Sequence, residues 1–122
     1  MTNLVGSRLN SPNCTLLGCD GFGIKLSEDG GIVTVTVTGE VDLATAPLLR
    51  RALGLAASAA GDPAVVVIDA RELSFIGTYG LGVILGARRT LQTRSGTLAI
   101  RNPSRMLQRT LSITRLTDLM AT

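Results

Sequence analysis

Residues 75–86 read FIGTYGLGVILG, in which the hydroxyls of Thr78 and Tyr79 stand just ahead of glycines at 80, 82 and 86. Three kinds of chemistry fit such a stretch. If it opens a helix, its unpaired N–H groups and the positive end of the macrodipole could bind a phosphate. Thr78 could instead carry a phosphate there, or its hydroxyl could simply cap the helix. Gly80, Gly82 and Gly86 give G-x-G-x-x-x-G, one residue off the dinucleotide fingerprint. In that fingerprint the glycine turn follows its strand directly, whereas here ARELS separates VVVID from the loop, and no P-loop lysine follows. No nucleotide cofactor is expected. Glycine costs about 1 kcal/mol per helical position relative to alanine. Gly82 and Gly86, one turn apart, are therefore expected to bring the helix close to the sheet or to a neighbouring helix, or to leave a bare surface.

Other reactive residue types are scarce. The chain has no histidine and two cysteines, Cys14 and Cys19, which removes the ordinary zinc ligand sets and the ordinary general base of nucleophilic hydrolases. The reading is a non-enzymatic protein without metal, and the cysteines, with four residues between them in a polar stretch, receive no role. Net charge is +3, with Lys25 the lone lysine among twelve cations. Phe22, Phe75 and Tyr79 are the aromatics, too few for the stacking platforms that accompany a basic stripe in a nucleic-acid binder, so no direct nucleic-acid partner is expected. No run of apolar residues is long enough to span a membrane. The first residues, MTNLVGSRLN, lack the basic start and apolar core of a secretory signal, which makes the expected location cytoplasmic.

The elements that would position Thr78 follow from periodicity. At 122 residues one domain is expected, covering 21–122 behind an N-terminal tail at 1–20, whose Ser, Asn, Gly, Pro and Thr show no period. A strand over Phe22–Leu26, a turn at EDGG, and a strand whose Val33, Val35 and Val37 alternate with Thr34, Thr36 and Thr38 make an opening β-hairpin with one wet face. Thr45 as cap, Pro47 in the first turn, and Leu49, Ala52, Leu53, Ala56 and Ala60 at helical spacing open the first helix, with Arg50 and Arg51 off its stripe. GDP at 61–63 stops it. AVVVID is a central strand covered on both faces, ARELS a linker, Thr78–Arg94 a second helix, GTLAIR a strand, and the segment from Pro103 onward a third helix carrying Met106, Leu107, Thr110 and Leu111. The order β-β-α-β-α-β-α implies an α/β fold, a mixed sheet with helices packed on it.

Three blocks, Gly39-Glu40-Val41-Asp42, Asp69 with Leu73-Ser74-Phe75, and Gly80-Leu81-Gly82-Val83-Ile84-Leu85, carry a resemblance to the STAS domain of the bacterial anti-sigma factor antagonist family, over residues 21–122. The resemblance implies partner switching. The unphosphorylated antagonist binds an anti-sigma factor that is also a serine kinase of the histidine-kinase-like ATPase type and so frees a sigma factor; phosphorylation ends the complex and a phosphatase restores it. Aligned on Gly80-Leu81-Gly82, the phosphoacceptor is Thr78, Gly77 stands where the family has Asp, and Tyr79 stands where it has a small residue. The implied partner-binding face is Asp42, Ser74, Gly77, Thr78, Tyr79, Gly80 and Leu81. Asp42 reads equally as a turn or cap residue, and Arg88 and Arg89 as cations placed at a helix C-terminal end. A second use of the same fold is a ligand-sensing module or the soluble subunit of a lipid or anion transport assembly.

Overall fold

The computed structural model describes residues 14–19 and 21–119. Its sheet is built outward from a hairpin. Strand β2 (Phe22–Asp29) turns back into β3 (Ile32–Val41), with Asp29 paired to Ile32, so Gly30 and Gly31 alone form the turn. Both have positive φ, 63° and 86°, as a two-residue turn matched to strand twist demands. Helix α1 (Ala46–Ala59) returns the chain to β4 (Val65–Asp69), which runs parallel to β3. A short strand β5 (Leu73–Ile76) follows, then helix α2 (Thr78–Gln92), strand β6 (Thr97–Arg101), helix α3 (Arg105–Ile113) and a 3₁₀ turn at Thr117–Leu119. Ahead of the hairpin, β1 (Cys14–Cys19) pairs antiparallel with β2. The strand order is β1-β2-β3-β4-β6, with β5 beside β3.

The alternation of valine and threonine in β3 has the expected consequence. Val33, Val35 and Val37 are buried, and register aligns Leu26, Val35, Ile68 and Ile100 in one row across four strands. Onto that row α1 lays Leu49, Ala52, Leu53 and Ala56, α2 lays Val83 and Ile84, and α3 lays Leu107 and Leu111, all in one apolar cluster. Ala60 sits past the last turn of α1 and is half-buried.

Three expectations change. Residues 14–19 are not tail but an edge strand; that short segment has no internal period, and only the partner edge of β2 calls it into the sheet. The rest of the expected tail, 1–13 and 20, lies outside the described residues. The end of the ARELS linker is the start of β5: Leu73, Phe75 and Ile76 pair parallel with Gly39, Glu40 and Val41, and Ser74 Oγ donates to Gly39 O at 3.1 Å. Four residues whose pairing lies 35 positions away leave no local trace. AVVVID is central, between β3 and β6, but the core covers one face of it. Val67 is buried yet outside the core cluster, in a row with Thr34 and Ala99 on the opposite face.

Helix α3 also stops at Ile113. Arg115 takes φ 61° and Leu116 N donates back to Leu111 O at 2.7 Å, a left-handed stop that returns the apolar residues Leu116 and Leu119 to the core.

Candidate functional site

The parallel strands β3 and β4, with β5 and β6, all end on the same side of the molecule, where α1, α2 and α3 begin. Thr78 is the first residue of α2 and is exposed; the N-cap position belongs to Gly77, in extended backbone. Gly77 N donates to Val41 O at 3.0 Å, which ties the helix start to the end of β3, and its own O accepts from Leu81 N at 3.0 Å. With no side chain, Gly77 caps nothing, and the first turn holds no acidic residue. The leading N–H groups of α2 thus face outward around the Thr78 hydroxyl without a capping side chain.

Of the other two helices, α3 carries a capping side chain and α1 is led in by a hydrogen-bonded turn. In α3 the Ser104 side chain accepts from Leu107 N at 3.1 Å. At α1 the expected cap, Thr45, makes no side-chain cap bond. Instead Asp42 and Thr45 satisfy each other. Asp42 Oδ1 accepts from Ala44 N at 3.0 Å and Thr45 N at 3.1 Å, while Thr45 Oγ1 accepts from Asp42 N at 2.9 Å and donates to Glu40 O at 2.8 Å. That is the logic of a capping box shifted three residues upstream. Hydrogen bonds from the Thr45 N–H first, and then from the Ala44 N–H, hold the Asp42 carboxyl below the usual range. The turn-or-cap reading of Asp42 is the geometry found, on a residue that is also exposed.

The expected partner-binding residues divide by exposure. Asp42, Ser74, Thr78 and Tyr79 reach the surface; Leu81 is half-buried against the core, and Gly80 is buried. A Cβ on Gly80 would lie 2.6 Å from both Ile76 Cγ1 and Val41 Cγ1, so this glycine is what lets α2 sit down on β3 and β5. Of the two outcomes expected for Gly82 and Gly86 the second is found: a Cβ at either meets nothing within 4 Å, so they leave bare surface and make no close approach. Arg88 pairs with Asp118 and so ties α2 to the C-terminal turn, whereas Arg89 is exposed.

Sequence reasoning missed part of the surroundings. Leu43, 63% exposed in the loop after β3, and Met106, 61% exposed at the start of α3, join Phe75 at 46% and Tyr79 at 60% among the large apolar residues left in water. Phe75 lies 3.3 Å from a Cβ placed on Gly77, and Phe75 and Met106 line one small cleft between β5 and α3. Four elements therefore put exposed apolar side chains at the end of the domain where Thr78 sits. Their signal in sequence is weak, because Leu43 and Met106 lie in segments whose periodicity is satisfied by other residues.

Comparison with known proteins agrees with this geometry. A family profile of the STAS domain matches residues 23–122. An anti-sigma-B factor antagonist of Listeria monocytogenes is 35% identical over 98 residues, covering 80% of this chain and 84% of that protein. The anti-sigma-B factor antagonist of Bacillus subtilis is 28% identical over 97 residues, covering 80% and 86%. The crystal structure of an anti-sigma factor antagonist from Mycobacterium paratuberculosis superposes with a TM-score of 0.70 at 26% identity, covering 86% of this chain and 87% of that one. Matched by the family profile from β2 onward, and by relatives over four-fifths of its length, the chain belongs to the STAS-domain family of anti-sigma factor antagonists.

Proposed function

We propose that this protein binds a kinase-type anti-sigma factor through the face around Thr78, so releasing a sigma factor, and that phosphorylation of Thr78 dissociates the complex. The observation that carries the reading is an exposed hydroxyl at an uncapped helix start, at the end of the domain that also exposes Leu43, Phe75, Tyr79 and Met106. Large apolar and aromatic side chains at the surface are the usual anchors of a protein interface. In the modification step the Thr78 oxygen takes the γ-phosphoryl group of ATP, loses its proton, and ADP leaves. The added charge, about −1.5 to −2, is costly to bury in a docked apolar interface without arginines to meet it, so modification becomes dissociation. A phosphatase reverses the step. Partner, kinase and phosphatase all act in the cytoplasm on this reading; among the described residues no helix is long and apolar enough to cross a membrane.

Two residues set this protein apart in the switch. Gly77 brings no carboxylate to the helix start, so the phosphate of phospho-Thr78 meets open N–H groups and no fixed negative charge. Tyr79 supplies an interface anchor beside it. The test is phosphate transfer from the kinase, read by mass spectrometry on wild type and Thr78→Ala. One phosphate on Thr78, accompanied by loss of the complex, is expected; label on another residue, or on none, sinks the switching part.

A further inference from the structure

Between α1 and α2 runs an open groove of about 340 Å³. It is lined by the exposed glycines Gly54 of α1 and Gly82 and Gly86 of α2, by the buried Leu53 and Val83 beneath them, and by Arg50. A Cβ at any of the three glycines meets nothing within 4 Å. Glycine inside a helix is unfavourable, and here no contact within the chain compensates for three of them. Something outside the chain is the natural recipient of the space.

Two observations identify it. First, Gly82 and Gly86 follow Thr78 at i+4 and i+8, so the phosphoacceptor heads the same ridge of α2 that lines the groove. The groove therefore continues the Thr78 face along the molecule. Second, its one lining charge is positive. Arg50 is the one ionisable residue among those lining it, and Arg94 stands at the far end, donating to Ala57 O at 3.3 Å. Two side-by-side helices with a bare i, i+4 row form a slot for the ridge of a third helix, and Gly82 to Thr90, about 12 Å of rise, matches about two helical turns.

Resting on the reading that Thr78 marks the partner face, we infer that the groove between α1 and α2 seats an amphipathic helix of the anti-sigma factor, small and apolar on its inner side and acidic on its flanks. The inference also supplies a mechanism for the switch. A phosphate on Thr78 stands one turn from Gly82 at the head of the groove and repels the acidic flank.

The test measures binding of the purified kinase-type anti-sigma factors of the source genome to wild type, Gly82→Ala/Gly86→Ala, Gly86→Leu and Arg50→Glu, with Tm recorded for each. Because the space is open, the alanine pair folds and its Tm rises by several degrees as helix propensity improves. The same pair, more stable, is expected to bind about tenfold more weakly, Gly86→Leu more weakly still, and Arg50→Glu with a reduced salt dependence. Wild-type affinity in both glycine variants overturns the groove while leaving the Thr78 face standing. A wild-type protein that binds none of the kinases overturns both.

Discussion

Asp42 and Thr78 stand at two helix starts that end up on one face, and they are treated differently. Asp42 is engaged by N–H groups of the turn after it and by Thr45, while Thr78 has no such network. The carboxyl of Asp42 is depressed in the folded chain, so its contribution to stability is complete above the unfolded value of about 3.9 and disappears as pH falls through the lower folded value. Asp42→Ala should therefore lower Tm at pH 7, with the gap to wild type closing toward pH 2, measured by thermal melts across that range; a gap that is constant in pH would refute the capping role. At this scale the sequence was partly legible. An Asp three residues before a Thr, ahead of an apolar helical stripe, offers both a cap and a contact, and single-residue spacing cannot choose between Asp42 and Thr45 as the cap. The choice was made by the end of β3, whose Glu40 carbonyl takes the Thr45 hydroxyl.

At the scale of elements, periodicity found the helices because their apolar stripes face a real core. Helix α1 buries Leu49, Ala52, Leu53 and Ala56 as the spacing requires, and α2 begins at Thr78 as expected. Periodicity failed for β1 and β5, whose existence depends on partner strands distant in sequence, β2 for one and the last residues of β3 for the other. Nor could it tell the glycines of α2 apart. Gly80, Gly82 and Gly86 look alike in sequence, yet Gly80 presses on Ile76 and Val41 while the other two open on a groove. Helix α3 makes the local rule testable. It is nine residues long and holds its first turn through Ser104, so Ser104→Ala should cost about 1 kcal/mol in urea unfolding. A cost near zero would mean that packing of Leu107 and Leu111 alone holds the helix.

For the whole molecule, the C-terminal turn is the closing piece. Leu119 is fully buried and Asp118, beside it, pairs with Arg88 of α2. The two contacts are unequal. Asp118 is mostly exposed, and a pair of that kind contributes at most about 1 kcal/mol, whereas removing a buried leucine side chain costs about 2–5 kcal/mol. Leu119→Ala should thus lower the urea midpoint several times more than Asp118→Ala; the opposite order would show that the ion pair, not the core, fastens the turn. The sequence by itself determined the hairpin, the three helices, the mixed α/β sheet and the placing of Thr78 at a helix start, because each follows from hydrophobic periods and turn residues acting over a few positions. Only the tertiary structure decided that Leu43 and Met106 share the Thr78 end of the domain, that β5 completes it, and that Gly82 and Gly86 face open space. Those are relations between segments distant along the chain, and local pattern carries no information about which side chains another element will cover and which it will leave bare.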